Sequence, residues 1–193
     1  MADLKNLPVR DSRYFDEGLY EQLRRDAALW STPEAVSDSA LVDEVTGVLH
    51  LESRLLDEGR FEEWLDMFDD ECVYWVPSAP MPGDPARTVS LALDDRRRLE
   101  DRIVWLRSAY IWSQIPRSKT VRLLTNIEAM RAGNDIVTRA NFVLHDVRGS
   151  AHATHFGWYF HRFDGTAPSW RIKAKHIRLV ESDLPHDNMS IIF

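Results

Sequence analysis

A single cysteine, Cys72, stands among 193 residues. One thiol excludes an internal disulfide and any metal site that takes two cysteines from one chain, and it suits a reducing compartment. No run of about 18 apolar residues occurs, so the pattern contains no expected membrane span. The opening stretch, MADLKNLPVRDSRYFDEG, lacks the basic start and apolar core of a secretion signal. A cytoplasmic protein is therefore expected. Net charge is −7 and no stretch is rich enough in Lys and Arg to track a phosphate backbone, which argues against nucleic acid as a partner. Also missing are a Gly-rich phosphate loop, a P-loop and a G-x-S-x-G nucleophile elbow.

What the chain has in quantity is aromatic area. Seven Trp, eight Phe and five Tyr supply apolar surface for a core, a pocket or a subunit interface. The length fits one domain able to bury about 70% of its unfolded surface. Hydrophobic and charged shares of 44% and 28% are those of an ordinary globular protein.

Residues 1–37 read as a polar N-terminal extension with a short helical stretch at 14–30, and 38–193 as one domain. Ser37, Asp38 or Ser39 can cap a helix whose apolar stripe is Leu41, Val45, Val48, Leu49, Leu55 and Leu56, with Glu52 its one polar member. Glu58-Gly59 should end it. Phe61, Trp64, Leu65 and Phe68 fall at i, i+3, i+4, i+7 and predict a second, short helix. Residues 72–76 read as a strand ending at Pro77, and 77–87 as a loop. A possible strand at 89–93 precedes a third helix capped by Asp94 or Asp95, with Leu99, Ile103 and Leu106 on one face. From Thr120 onward the signal is β: strands near 121–130 and 136–146 around a turn at Gly133-Asn134-Asp135, then 152–163 and 170–180. In the third of these, Phe156, Trp158 and Phe160 alternate with the smaller, more polar His155, Gly157 and His161. That pattern fits a curved sheet with one face packed on helices. Helices followed by an antiparallel meander define an α+β domain.

Seven histidines invite a metal reading, which their spacing opposes. His152 and His155 point to opposite faces of a strand, and His155 and His161 lie about 20 Å apart along one. His50 and Glu52, two apart on a helix, do not share a face. His50, Asp57, Tyr74, His155, Tyr159 and His176 could line a cavity and do acid–base work, but spacing gives neither reach nor a tuned pKa. Cys72, in an apolar strand, reads as inert core. Arg96, Arg97, Arg98, Arg102 and Arg107 are interspersed with acids and read as a solvated face. The loop at 112–120 is different. It sets Trp112 beside Arg117 and Lys119 where packing does not demand them, the composition of an interface anchor.

Several stretches then carry a resemblance. They are ESRLLDEGRFEEWLDMF from Glu52, YWVP from Tyr74, Asp94-Asp95-Arg96, WSQIPRSKTVRL from Trp112, Asn126-Ile127, Trp170-Arg171-Ile172 with Lys175, Leu184-Pro185, and NMSIIF from Asn188. In this order, across about residues 38–193, they resemble the β (small) subunit of bacterial aromatic-ring-hydroxylating dioxygenases, which serve aromatic catabolism. Met189 stands where that family more often has Leu. The resemblance implies a nuclear-transport-factor-2-like (cystatin-like) cone, with N-terminal helices packed on a curved, mainly antiparallel sheet, as in scytalone dehydratase and ketosteroid isomerase. It implies a non-catalytic, structural subunit that trimerises and supports three metal-bearing α subunits as α3β3. No catalytic, cofactor-binding or metal-ligating residue is then expected here. The Rieske [2Fe-2S] cluster and mononuclear Fe(II) would belong to α, and electron-transfer proteins would contact the complex through α. A Rieske centre takes two Cys and two His, which one cysteine cannot supply. Trp112, Arg117, Lys119 and the apolar Ile191, Ile192 and Phe193 are the candidate interface residues, the last three expected to dock into the sheet or a neighbouring subunit. The competing reading is a stand-alone dehydratase or isomerase with a His/Asp/Tyr pocket on the same fold.

Overall fold

The computed structural model describes residues 16–29, 38–79, 84–108, 112–165, 169–186 and 190–193. Among these residues four α-helices, α1 (Glu17–Leu29), α2 (Ser39–Asp57), α3 (Phe61–Leu65) and α4 (Arg96–Arg107), accompany six strands. These are β1 (Phe68–Pro77), β2 (Ser90–Asp94), β3 (Lys119–Ala132), β4 (Asp135–Arg148), β5 (Ala151–Asp164) and β6 (Arg171–Leu179). None of the described helices is long and apolar enough to cross a membrane.

Local chemistry fixes the ends of α2. Asp38 is the cap, its carboxylate accepting from the amides of Ala40 (3.0 Å) and Leu41 (3.4 Å). At the other end Gly59 takes φ 68°. Its amide donates to Leu56 O, and that of Arg60 to Leu55 O, the Schellman closure for which a left-handed glycine is suited. Asp95, not Asp94, caps α4, through the amide of Arg98 at 2.9 Å. The predicted helix through Phe68 is shorter than its periodicity. It ends at Leu65, and Phe68 opens β1. Phe68 stays buried in either case, so helical spacing alone does not distinguish the two.

The sheet runs β2-β1-β6-β5-β4-β3. Every neighbour pair is antiparallel except β1 with β6, which run parallel with Tyr74 opposite Lys175. The four-stranded meander is thus extended by two strands from earlier in the chain. Between Thr125 and Glu128 the β3–β4 register shifts, and Asn126 takes φ 52°. Such a bulge bends a long strand, and α2 lies against β3. At Gly157 a Cβ would fall 1.9 Å from Arg178 O, so only glycine allows β5 and β6 to approach there.

The concave face holds the main core: Leu49, Trp64, Tyr74, Leu99, Phe142 and Tyr159 among others. On β5 this inner face is the smaller, more polar set, with His155, Gly157, Tyr159, His161 and Phe163 all buried. Phe156 faces outward and is exposed. The convex face carries a second cluster in which Leu23 of α1 packs on Val73, Trp75 and Ala174. Asp26 of α1, fully buried, pairs with Arg162 of β5, whose Nε lies 3.1 Å from Asp26 Oδ2. The helix predicted at 14–30 therefore lies on the chain's own sheet. The rest of the 1–37 stretch, apart from Asp16, falls outside the described residues.

Candidate functional site

Charge sits at the centre of the concave core. Glu52, the polar member of the α2 stripe, is 2% exposed. Its Oε1 accepts from Lys175 Nζ (2.8 Å) and Trp64 Nε1 (3.1 Å), and its Oε2 lies 3.0 Å from His161 Nε2. Burial raises the Glu52 carboxyl, but Lys175 and His161 outweigh it and hold the group well below the usual carboxylate range. Burial also lowers Lys175 and His161, against the opposing pull of Glu52. A carboxylate only accepts, so the neutral His161 ring carries its proton on Nε2. Lys175 Nζ also stands 4.4 Å from the centroid of the Tyr159 ring, which stacks on Phe142. The Glu52 carboxylate thus has three partners, as a buried charge must to persist, while His161 Nδ1 is buried without one.

Residues 191–193 close what remains of the cone. All three side chains are buried. The Phe193 amide donates to Tyr74 Oη at 2.9 Å, and Phe193 packs edge-on to His155 at 5.3 Å. Arg122, paired with Asp57, donates through Nη2 to Ile192 O. Asp57 also accepts from Thr120 Oγ1 (2.8 Å) and the Arg122 amide (2.9 Å). Between Tyr74, Leu91, Arg102 and Phe193 about 10 Å³ of space is left, about the room of one water molecule.

The six residues considered for acid–base work do not all converge, although Tyr74 and Tyr159 share the main core and Tyr74 and His155 both contact Phe193. His50 is exposed on α2. His176 lies in the outer cluster, stacked on Trp75 at 4.3 Å, where burial pushes its pKa down to about 3. His155 pairs with Glu181 at 3.2 Å. Asp57 is engaged by Arg122, and burial raises Tyr74 and Tyr159 above the usual phenol range. The residues that do converge, Glu52, His161 and Lys175, were not among those six. Glu52 interrupting an apolar stripe was their one visible signal.

At the surface, Trp112 is 85% exposed at the start of a short 3-10 turn, with Ile115 also exposed. Gln114 anchors the turn, donating to Ser190 Oγ at 2.9 Å and accepting from the Ser118 amide at 3.2 Å. Arg117 donates to Leu106 O at 3.3 Å; Lys119 is exposed. Beneath the turn a cavity of about 250 Å³ is lined by Phe61, Leu106, Arg117, Lys119, Ile191 and others. Across the convex face Leu123, Val143 and Phe156 lie directly opposite one another on β3, β4 and β5, all exposed.

No group of three His, Cys, Asp or Glu among the described residues is arranged to hold a metal. Cys72 is buried, which pushes its thiol up to about 12. A Rieske centre takes two Cys and two His, and the sequence has one cysteine.

A helix-lined, curved sheet closed into a cone is the nuclear-transport-factor-2-like architecture. The model of the ring hydroxylating beta subunit family matches residues 51–186, and the chain belongs to that family. It is 31% identical over 153 residues to the small oxygenase component of the p-cumate 2,3-dioxygenase system of Pseudomonas putida, covering 77% of this chain and 85% of that one. To the 2-halobenzoate 1,2-dioxygenase small subunit of Burkholderia cepacia it is 29% identical over 160 residues, or 80% and 96% of the two chains. The crystal structure of the benzoate 1,2-dioxygenase β subunit of Burkholderia mallei superposes with a TM-score of 0.63 at 25% identity, covering 81% and 99%.

Proposed function

We propose that this chain is the structural β subunit of a Rieske-type aromatic-ring-hydroxylating dioxygenase. In this reading it trimerises and binds a metal-bearing α subunit as α3β3, and the complex adds both atoms of O₂ to an aromatic substrate. The Rieske cluster and mononuclear Fe(II) reside in α, and reductase-chain proteins reach the complex through α. The observation that carries the reading is the filled interior. A dehydratase or isomerase working inside the cone needs an open pocket where Phe193, Tyr74 and the Glu52–Lys175 pair stand. Subunit contacts fall instead on the surface: Trp112, Arg117 and Lys119 in the loop, and the stripe of Leu123, Val143 and Phe156. Exposed apolar patches of this kind mark interaction sites. Ile191, Ile192 and Phe193 brace this surface from beneath, since Ser190 holds the loop through Gln114.

Light scattering of the chain alone and co-expressed with its α subunit tests the proposal. A joint particle of three copies each, with oxygenase turnover only in the mixture, is expected. A chain that ignores α, or that turns over a dehydratase substrate alone, would overturn it.

A further inference from the structure

At the end of the sheet where β4 turns into β5 lies a cavity of about 270 Å³, separate from the filled interior. Asp146, His155, Glu181, His186 and Arg148 are among its walls. Its carboxylates are unusual. Asp146 is 6% exposed, and its Oδ1 is buried with no hydrogen-bond partner. Glu181 uses Oε1 on His155 Nδ1 at 3.2 Å, while its Oε2 is likewise buried and unpartnered. His186 lies 6.0 Å from His155, ring centre to ring centre, and its Nε2 is a third buried atom without a partner. Buried carboxylate oxygens without donors are costly and rare in folded proteins.

The wall's own cation does not answer them. Arg148 directs Nη1 to Ser113 O at 2.7 Å, away into the Trp112 loop. Nor do the acids and histidines come together as a metal site among the described residues. What fits two separated acceptor oxygens is a cation that is broad and carries several N–H donors, the geometry of a guanidinium group. Position indicates its source. Through Arg148 and Ser113 this cavity adjoins the loop that bears exposed Trp112, the proposed subunit surface.

We infer that the Asp146–Glu181 cavity is a socket for an arginine side chain of the partner α subunit. This inference rests on the β-subunit reading and adds to it a specific anchor, charged where the Trp112 loop is aromatic. The socket also accounts for an otherwise unexplained feature: carboxylate oxygens orphaned in the separate chain are satisfied on assembly.

The test combines two readouts on Asp146→Asn and Glu181→Gln. Affinity for the α subunit is measured by titrating α into the labelled chain, and the melting temperature of each isolated variant is measured alongside. Removing a carboxylate oxygen that has no donor in the isolated chain should leave that chain as stable as before, or more so, while affinity for α falls at least tenfold. In parallel, millimolar arginine amide added to the isolated wild-type chain should raise its melting temperature and shift the His155 and His186 ring signals. It should do neither in Asp146→Asn. If both variants bind α as tightly as the wild type, the socket is refuted while the β-subunit reading stands. If both variants melt much lower than the wild type, the carboxylates are structural and the socket is again refuted. If the wild-type chain itself fails to bind α, it is the β-subunit reading that falls.

Discussion

Replacing Lys175 by methionine isolates the Glu52 carboxylate at little cost in volume. The two charged atoms are 2.8 Å apart, and both side chains are almost wholly withdrawn from solvent. In such surroundings the attraction of the pair mainly offsets the desolvation of each member. Removing one partner therefore leaves the other's desolvation uncompensated, a loss of about 3–5 kcal/mol. Trp64 and His161 still contact Glu52, but burial holds the His161 ring below its usual pKa. The loss should depend on pH, with a sign that can be worked out. In the wild type Glu52 is depressed, so its contribution is present above the unfolded value of about 4.3 and is lost only as pH falls through the lower folded value. In Lys175→Met burial dominates and lifts Glu52 above that unfolded value. Its folded form then takes up a proton first as pH falls, and the deficit shrinks by about 1.4 kcal/mol per pH unit within that window. Urea unfolding followed by tryptophan fluorescence at pH 7 and pH 5, wild type against variant at each pH, gives the difference directly. Taking differences at each pH also cancels the titration of His176. A deficit below about 1 kcal/mol at pH 7, or one that grows at pH 5, would refute the argument. Adding Glu52→Gln to the variant should recover part of the loss, because an amide is less costly to bury than a lone carboxylate.

Three further outcomes are expected. His176, buried neutral with its pKa near 3, is protonated sooner in the unfolded chain, so stability is complete above about pH 6.5 and declines toward pH 3. The loss at pH 5 is about 2 kcal/mol by linkage, and His176→Phe should flatten that slope in denaturant titrations. Gly157→Ala forces β5 from β6 against Arg178 O and should cost about 3 kcal/mol or more, read as a lowered urea midpoint. Cys72, with its thiol pushed up to about 12 by burial, should react with a thiol reagent only at the rate of unfolding; fast labelling of the native chain would contradict its placement.

Where one residue type answers a local demand, the sequence made the structure readable. Asp38 and Gly59 mark the ends of α2 because a cap needs a short acceptor and a left-handed closure favours glycine. Gly133 likewise marks the β3–β4 turn, with φ 68°. Interactions between distant segments were not readable. Nothing in the spacing of β1 or β6 states that Tyr74 will lie opposite Lys175. Nor does the alternation on β5 say which face is inside. The bulkier side chains turned outward, since the concave face must also admit Trp64, residues 191–193 and an ion pair. Of the site, Glu52 was visible as an irregularity, while its partners come from 109 and 123 positions further on. The proposed interface residues stand out by composition alone, Trp112 because nothing local requires it.

The parallel pairing of β1 with β6 has a consequence for how the molecule forms. Strands β3, β4 and β5 follow one another through two-residue turns, so these hairpins can zip within a few residues of their own sequence. The α2–β1–β2 portion can likewise gather locally. Joining the two portions means bringing Tyr74 to Lys175 across about a hundred residues of intervening chain, a step whose loop entropy is spent before any contact repays it. Docking of those two sections is therefore expected to set the folding rate. In a pulse-labelled refolding experiment, amides of β3 and β4 should gain protection before those at the β1–β6 seam.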